Sequence, residues 1–270
     1  MAVFLSLAST SDGRGADEYP GNMLPEVIPA PYGKPLIAIV IDDMGVDQGR
    51  SARAALNLQP QVTLSYLAYS PYIREQVSAA RAQRHEIFLH LPWEADNARA
   101  DPGPNHLSVS MPEELLRENL LANLDGFDGY VGVNNHMGSK FSRYRSGLEA
   151  VMAELQKRGV FFLDSRTTPD SIAEKVALEY AIPATSRDVF LDDAEKPGLV
   201  VAALREVEDI ALRNGSAVAI GHPKDLTLEA LEAWLPTLEA KGFQLAPLTT
   251  IIKYRQTMAD ARLARLEHKK

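Results

Sequence analysis

The residues of this chain whose side chains could carry out chemistry lie where apolar runs end. Asp42 and Asp43 follow the apolar run 36–41 directly and precede Gly45. A continuous apolar run of this length, rich in β-branched residues, predicts a parallel strand that is buried on both faces. Two carboxylates at the end of a buried strand require a metal ion, a hydrogen-bond network or a cationic partner, unless they only cap the following turn.

Other predicted strands end in polar residues of the same kind. Because the carboxyl ends of parallel strands meet at one mouth of an α/β barrel, the pattern predicts one shared polar site. Taken alone, a histidine here is more typical of a satisfied core residue, and a single aspartate of a turn cap. In chain order the residues are His90 and Glu94, then Asn134, Asn135 and His136, then Asp164 and Arg166, then Asp192 and Asp193, and finally His222.

A carboxylate with two or three imidazoles is a usual ligand set for Zn²⁺ or a similar divalent ion. Such an ion polarises a carbonyl and lowers the pKa of a bound water. Asp43, His90 and His136 fit the ligand role. Asp42 then fits the role of general base, and His222 that of general acid. The sequence contains no Gly-x-Ser-x-Gly elbow, which argues against a serine hydrolase.

The elements that must position these residues alternate between strand and helix. This alternation within 270 residues predicts an α/β fold, either a parallel barrel or a doubly wound sheet. No glycine-rich phosphate fingerprint follows a strand, which weakens the case for a nucleotide-binding sheet. Strands are predicted at 36–41, 62–67, 86–91, 130–134, 160–164, 183–185, 216–223 and 243–248, and helices at 46–58, 71–84, 111–124, 146–158, 172–180, 199–214 and 227–241.

Composition divides the chain into three segments. Residues 1–34 are rich in glycine and proline and are expected to be a flexible arm, residues 35–253 the barrel domain, and residues 254–270 a charged tail. The net charge of -8 argues against a nucleic-acid partner, and no apolar stretch is long enough to span a membrane. The short apolar opening at 1–7 is either the remnant of a signal or membrane anchor, a tether since lost, or a frayed end.

Five blocks of the sequence resemble the signature motifs of the divergent polysaccharide deacetylases. The resemblance extends over residues 36–252, and the blocks occur in the same order as in that family. They are IDDMG from residue 41, HEIFLHLPWE from residue 85, VNNHMGS from residue 133, FLDSRT from residue 162 and IGHP from residue 220.

The resemblance implies a distorted (β/α)₇-type barrel with a parallel strand core, related distantly to the carbohydrate esterase family four deacetylases. It also implies a divalent metal, with zinc expected. In those relatives an Asp-Asp pair supplies a base and then a ligand, which implies Asp42 as base and Asp43 as ligand. Their second ligand histidine is replaced here by Glu94, and either Glu94 or His136 takes its place beside His90. We favour His136, since Glu94 follows a proline and a tryptophan and is expected to point into the long loop 95–109.

Further roles follow from the same resemblance. His222 corresponds to the acid of the relatives. The arginine that steadies the base in the relatives is missing from this chain, and Arg166 is a candidate to replace it. Asp164 is expected to belong to the catalytic group together with Asp42, His222 and Arg166. Three further residues of the motifs at 85–94 and 133–139 are expected to contact the substrate, namely Trp93, Asn134 and Asn135.

The implied function is a metal-dependent hydrolase that removes acetyl groups from an envelope polysaccharide or glycan. A degenerate barrel that binds a glycan or envelope partner without catalysis is the alternative, because the second ligand histidine and the arginine motif are changed. A phosphate-ester hydrolase is disfavoured, because the acidic mouth would repel anions. A carbohydrate partner from the envelope implies that the protein is in the periplasm or cell envelope. The cytoplasm is the alternative location.

Overall fold

The computed structural model describes residues 33–193, 196 and 198–267, without the side chains of residues 263, 265 and 267. Nearly all of the predicted N-terminal arm therefore lies outside the described residues, as does the apolar opening at 1–7. Within the described part, no helix is both long and apolar enough to cross a membrane.

The described residues form one sheet in which every strand pair is parallel. The strand order is β6-β5-β4-β3-β2-β1-β8-β7, and β9 pairs with the first two residues of β1, on the edge opposite β8. The strands are β1 (Leu36–Met44), β2 (Thr63–Leu67), β3 (Ile87–Trp93), β4 (Gly132–Met137), β5 (Phe161–Asp164), β6 (Ala184–Ser186), β7 (Val189–Phe190), β8 (Ser216–Gly221) and β9 (Gln244–Leu245).

One continuous segment, 184–190, brings the two ends of this sheet together. Its first half is β6, which pairs with β5, and its second half is β7, which pairs with β8. Arg255 spans the change of partner, since it donates to Thr185 Oγ1 at 2.9 Å, to Asp188 Oδ2 at 2.5 Å and to Ser216 Oγ at 3.0 Å. The predicted class, a distorted parallel α/β barrel, is confirmed.

Helices surround the strands, as the alternation predicted. In α4 the apolar residues Leu148, Val151, Met152 and Leu155 share one buried face, and the helix ends at Gly159 with φ +63°. The helices are α1 (Gln48–Asn57), α2 (Ile73–Ala82), α3 (Glu113–Leu124), α4 (Arg145–Arg158), α5 (Ala173–Glu179), α6 (Leu199–Asn214), α7 (Asp225–Trp234) and α8 (Leu248–Glu267).

The C-terminal segment departs from the prediction. The strand expected at 243–248 is limited to Gln244–Leu245, and α8 begins at once, with Leu248, Ile251 and Ile252 buried inside the barrel. The predicted boundary between residues 253 and 254 therefore falls within an unbroken helix. The apolar first turn of α8 explains this, because it closes the amino-terminal end of the barrel.

The alternation of side chains along each strand decides which residues reach the barrel interior. Leu36, Ala38 and Val40 of β1 belong to the inner cluster with α8, whereas Ile37 and Ile39 pack in the outer cluster with the helices. Since strand side chains alternate between faces, the residue that follows Val40 by two positions also faces inward. That residue is Asp42, at the carboxyl end of the barrel.

Three of the strands extend beyond their predicted ends. β1 runs to Met44, β3 to Trp93 and β4 to Met137, which are each two or three residues longer than the apolar runs indicate. Several of the candidate site residues are therefore held by backbone pairing and not by loops.

At the opposite end, Glu86 holds the start of α8 and is buried. Its Oε1 accepts from Thr63 Oγ1 at 2.8 Å and from the backbone N–H of Thr249 at 3.3 Å, and its Oε2 accepts from Thr249 Oγ1 at 2.5 Å. Burial raises the pKa of Glu86, although the bonds from both threonines oppose the rise.

Replacing Glu86 with glutamine is expected to stabilise the protein at neutral pH. As the pH rises above the ordinary value of 4.5, the unfolded chain loses this proton before the folded chain does. The free energy of unfolding should then fall with rising pH, by up to about 1.4 kcal/mol per pH unit from this group. The Glu86→Gln variant should lack that part of the slope.

Urea unfolding at a series of pH values above 5 measures this slope, with Glu118→Gln on the exposed face of α3 as the control. Parallel stability curves for Glu86→Gln and the parent protein would contradict the assigned pKa direction.

Candidate functional site

Asp42 and Asp43 are adjacent in a strand yet reach the same site. In a regular strand their side chains would point to opposite faces. Asp43 instead has φ +54°, and the pairing of β1 with β2 shifts register between Ile41 and Met44. His90 Nε2 consequently lies 3.6 Å from Asp42 Oδ2 and 3.3 Å from Asp43 Oδ1.

The turn after Asp43 depends on Gly45, which has φ +104°. A Cβ at this position would lie 2.5 Å from Ser70 Oγ, so the backbone can approach the β2–α2 connection only with glycine here. The close approach fixes the path of the chain directly after the aspartate pair.

Three potential ligand atoms converge at the mouth, namely Asp43 Oδ1, His90 Nε2 and His136 Nδ1. The imidazole of His136 lies 2.8 Å from Asp43 Oδ1, and the two ring nitrogens are 3.2 Å apart. A tetrahedral Zn²⁺ with ligand bonds of about 2.1 Å places its ligands about 3.4 Å from one another. The three atoms are therefore grouped at nearly the spacing that such an ion requires.

The oxygen at the centre of this group supports the same assignment. Asp43 Oδ1 is buried and accepts no hydrogen bond from the described residues, although the ring nitrogens of His136 and His90 lie 2.8 and 3.3 Å from it. A buried carboxylate oxygen without a donor is costly, and a cation removes the cost. The donor set, one carboxylate and two imidazoles, fits zinc or a similar divalent ion.

Asn134 connects the candidate base with the candidate ligand His90. Its Nδ2 donates to both oxygens of Asp42, at 2.8 and 3.0 Å, and its Oδ1 lies 3.1 Å from His90 Nδ1. Because carboxylate oxygens only accept, the amide nitrogen must face Asp42 and the amide oxygen must face His90. His90 Nδ1 then donates, which leaves the lone pair of His90 Nε2 directed at the ligand group.

Two serines complete the surroundings of this amide. Ser65 donates its Oγ–H to Asn134 Oδ1 at 2.5 Å, and Ser165 Oγ accepts from Asn134 Nδ2 at 3.1 Å. Asn134 is fully buried. No feature of the sequence distinguishes Ser65 or Ser165 from other strand serines, so neither was predicted.

Burial and charge act in opposite directions on the two aspartates. Burial raises the pKa of Asp42, and the charges of His90 and His222 and the bond from Asn134 only partly oppose it. Burial also acts to raise the pKa of Asp43, but the nearby imidazoles of His136 and His90 outweigh it and hold this pKa far below its ordinary value. Asp43 is therefore the more strongly anionic member of the pair.

On the other side of Asp43, Asp192 orients His222. His222 Nδ1 lies 2.9 Å from Asp192 Oδ1, and Asp192 Oδ2 accepts from the His222 backbone N–H and from Thr227 Oγ1, both at 2.8 Å. With Nδ1 bonded to Asp192, His222 Nε2 faces the site, 3.7 Å from Asp43 Oδ2. Burial acts to lower the pKa of His222, but Asp192 and Asp43 outweigh it and raise this pKa.

Asp192 is thus a site residue that the sequence pattern predicted only weakly. Its signal was the one shared with the other site residues, because Asp192 directly follows the apolar run 189–191. Taken alone, this aspartate was expected to cap a loop, but the structure shows it bonded to His222 and Thr227 instead.

Glu94 does not join the ligand group. Its Oε1 accepts from Lys140 Nζ at 2.6 Å, and its Oε2 accepts from Ser108 Oγ at 2.7 Å and from the Val109 backbone N–H at 2.8 Å. Glu94 therefore attaches the end of the long loop 95–109 to the β4–α4 connection, and of the two alternatives at this position the structure brings His136 to the site.

Asp164 and Arg166 are likewise placed outside the group. Asp164 Oδ1 accepts from the Arg166 backbone N–H at 2.8 Å, and Asp164 Oδ2 accepts from Ser171 Oγ at 2.6 Å. The reason is register, since Leu163 faces the barrel interior and Asp164 must face outward. Arg166 is exposed, and the guanidinium on which the charge of Asp42 acts is instead that of Arg187, whose pKa Asp42 raises against the larger lowering by burial; the sequence did not indicate Arg187.

The three predicted substrate contacts also have other roles. Trp93 is fully buried and packs against Phe141 and Phe162, so it is a core residue. Asn135 is buried and bonds to backbone groups, donating to the Met137 carbonyl at 2.7 Å and accepting from the Ser165 N–H at 2.9 Å. Asn134 uses its amide within the site, as described above.

Comparison with known proteins agrees with this arrangement. A family model described as "divergent polysaccharide deacetylase" matches residues 39–252. The chain belongs to the divergent polysaccharide deacetylase family. The matched range includes every residue of the ligand group together with Asp42, Asn134 and His222, and the resemblance predicted from the sequence motifs is confirmed.

Relatives of this deacetylase-family chain include two bacterial proteins. An uncharacterised protein of Haemophilus influenzae is 32% identical over 208 residues, which are 77% of this chain and 73% of the relative. The uncharacterised protein YibQ of Escherichia coli K12 is 30% identical over 217 residues, which are 80% of this chain but only 65% of YibQ. The chain thus spans less than two thirds of YibQ.

Among solved structures, the uncharacterised protein ATU2773 of Agrobacterium tumefaciens C58 is similar, with a TM-score of 0.78 and 29% identity. The alignment covers 81% of this chain and 89% of ATU2773.

Replacing Asn134 with leucine is expected to weaken Zn²⁺ binding by about 10- to 100-fold. The substitution keeps the side-chain volume but removes the acceptor that fixes His90 in its ligand tautomer. Competition for Zn²⁺ with a chromophoric chelator measures the change on folded protein.

The matched control is Asn123→Leu, which removes a buried amide from α3 that donates to the backbone carbonyls of Asn105 and Asn119. Equal Zn²⁺ affinity in the parent protein and in Asn134→Leu would contradict the role assigned to Asn134.

Proposed function

We propose that the protein is a metal-dependent hydrolase that removes acetyl groups from a polysaccharide or glycan of the cell envelope. The observation that carries this proposal is the grouping of Asp43, His90 and His136 between two proton-transfer candidates. On one side lies the buried Asp42, and on the other lies His222, which Asp192 holds in place.

A divalent cation, which we expect to be zinc, would be held by Asp43, His90 and His136, and when bound it polarises an acyl carbonyl and acidifies a water. Asp42 is placed to accept the proton of the attacking water. Asn134 orients this carboxylate through two hydrogen bonds and leaves further lone pairs on its oxygens to receive the proton.

His222 supplies the second proton transfer. Its bond to Asp192 directs Nε2 to the site and favours the protonated ring. His222 Nε2–H can therefore donate to the nitrogen or oxygen that leaves with the sugar, while the acetyl group departs as acetate. Base and acid thus act from the two sides of Asp43.

The carbohydrate substrate is supported by the family's description, which names polysaccharides. An acetylated polysaccharide of the envelope implies that the protein acts in the periplasm or at the cell envelope. Fractionation of cells that express the full-length protein tests this placement.

One observation favours a second candidate function, a barrel that binds a glycan without hydrolysing it. Asp42 is only 2% exposed, so water reaches the proposed base only through the mouth at which the substrate must sit. In that case the zinc-loaded protein binds acetylated glycans and releases no acetate.

The decisive assay is the release of acetate from acetylated oligosaccharides by the zinc-loaded protein. The parent protein is expected to release acetate, and Asp42→Asn should lower kcat by about 10²-fold or more while retaining zinc, because only the base is lost. His90→Ala should lose both zinc and activity. The control is Asp193→Asn, at the exposed neighbour of Asp192.

Full activity in His90→Ala would overturn the proposed metal centre. A parent protein that binds zinc and glycan but releases no acetate would establish the second candidate instead.

Asp192→Asn is expected to lower kcat by about 10²-fold or more with little change in KM or in zinc affinity. An asparagine carries no charge, so it no longer raises the pKa of His222, and a neutral imidazole is a much weaker proton donor than the imidazolium. Steady-state kinetics with zinc titration separates these quantities. Thr227→Val, which removes only a donor to Asp192, serves as the milder comparison, and a loss confined to KM would contradict the positioning role.

A further inference from the structure

We propose that Arg187, with Arg166 beside it, forms an anion-binding wall of the mouth, and that the glycan bound there carries a carboxylate near its acetyl group. The inference rests on the proposed function for the presence of a glycan. It adds the chemical class of that glycan, an acidic one.

Arg187 is held rigidly at the carboxyl end of the barrel. It directly follows β6, and its Nε donates to the Ser165 carbonyl at 2.7 Å and its Nη2 to the Arg166 carbonyl at 2.8 Å. The guanidinium carbon lies 4.9 Å from the centre of the Phe190 ring. Two backbone bonds and one aromatic face fix the guanidinium and leave Nη1 without a hydrogen-bond partner among the described residues.

The charge of this guanidinium has no direct ion-pair partner in the described part of the chain. The carboxylates around it are engaged elsewhere: Asp188 Oδ2 accepts from Arg255 and from the Val218 N–H, Asp164 bonds within its own turn, and Asp42 bonds to Asn134. A partly buried, preorganised guanidinium that binds only neutral carbonyls is costly in the free protein, and it is the arrangement that recognises a carboxylate.

Arg187 also stands close to both proton-transfer candidates. The ring of Phe190, against which it packs, makes an edge contact with the ring of His222 at 5.4 Å between centroids. The carbonyl that accepts from Arg187 Nε belongs to Ser165, whose Oγ accepts from Asn134. Consistent with this proximity, the negative charge of Asp42 raises the pKa of Arg187 against the larger lowering by burial.

The acidic residues of the mouth do not cancel this wall. Asp164 faces outward and accepts from Ser171, Asp192 is paired with His222, and the charges of Asp42 and Asp43 are offset when the divalent cation is bound. Arg166 is exposed, its carbonyl accepts from Arg187 Nη2, and it has no ion pair with any residue that the structure describes. The positive side of the mouth therefore attracts an anionic substituent rather than repelling it.

These features select among acetylated glycans. A neutral chitin-type chain offers only hydroxyl and acetamido groups, which leave Arg187 Nη1 without a charged partner. A uronate-containing chain places a planar carboxylate beside an acetylated sugar, and a carboxylate can accept from Nη1 and from Arg166.

The test compares the binding of two tetrasaccharides to the zinc-loaded full-length chain by isothermal titration calorimetry. One alternates N-acetylglucosamine with glucuronate, and the other is tetra-N-acetylchitotetraose. The parent protein should bind the acidic one at least about tenfold more tightly at low salt, as expected for a charge-assisted hydrogen bond, and less selectively at high salt. Methyl esterification of the two carboxylates should abolish the preference.

The variants identify the residues. Arg187→Met should reduce the preference to near unity, Arg187→Lys should retain part of it, and Arg166→Met should lower it less, because Arg166 is exposed. Arg117→Met, on the exposed face of α3, removes the same charge from the surface and should leave the preference unchanged. Circular dichroism and zinc affinity verify that each variant is folded.

The result that overturns the proposal is equal affinity of the parent protein for the two tetrasaccharides, absence of binding of the acidic one, or a preference that survives in Arg187→Met. Since the readout is binding, a protein that releases no acetate but keeps the Arg187-dependent preference would refute the hydrolase and leave the anionic wall intact. Acetate release without any preference would do the reverse.

Discussion

The carboxamide of Asn134 lies buried between the carboxylate of Asp42 and the imidazole of His90, and the order of the whole site depends on this contact. An amide has donors at one end and an acceptor at the other, so its orientation is decided by the group that can only accept. Asp42 accepts from the Asn134 amide nitrogen, so His90 Nδ1 must donate to the Asn134 amide oxygen. The lone pair of His90 Nε2 is then left for the ligand group. One side chain thereby sets the direction of the base and the tautomer of a ligand.

The fold supplies what this contact requires. Parallel strands bring Asp42, His90 and Asn134 to adjacent positions at one end of the barrel, and the buried first turn of α8 fills the other end. The left-handed conformation at Asp43 allows two neighbouring aspartates to serve one site. The backbone strain at that residue is offset by the contacts that its carboxylate makes possible.

Much of the fold and of the site could be predicted from the sequence, because apolar runs indicate buried parallel strands and polar residues directly follow several of these runs. Asp43, His90, His136 and His222 were found in this way, and the structure brings them together. An apolar run does not specify which face of a strand its terminal residue occupies, and a difference of one position turns Asp164 outward and leaves Ser165 inside.

The remaining site residues owe their roles to partners that are distant in sequence. Asp192 reaches the site through a contact with a residue 30 positions away, and Ser65 through a contact with a residue 69 positions away. Glu94 occupies a motif position associated with a ligand, but the bonds from Lys140 and Ser108 engage both of its oxygens. The type and spacing of residues do not carry such information, whereas the family relationship accounts for the order of the motifs.

The most direct test of the central claim is anomalous diffraction at the zinc edge from crystals of the zinc-loaded protein. We predict one ion at the mouth of the barrel, bound by Asp43, His90 and His136, with Glu94 still bonded to Lys140. An ion bound by Glu94 in place of His136, or no ion at this mouth in zinc-saturated crystals, would contradict it.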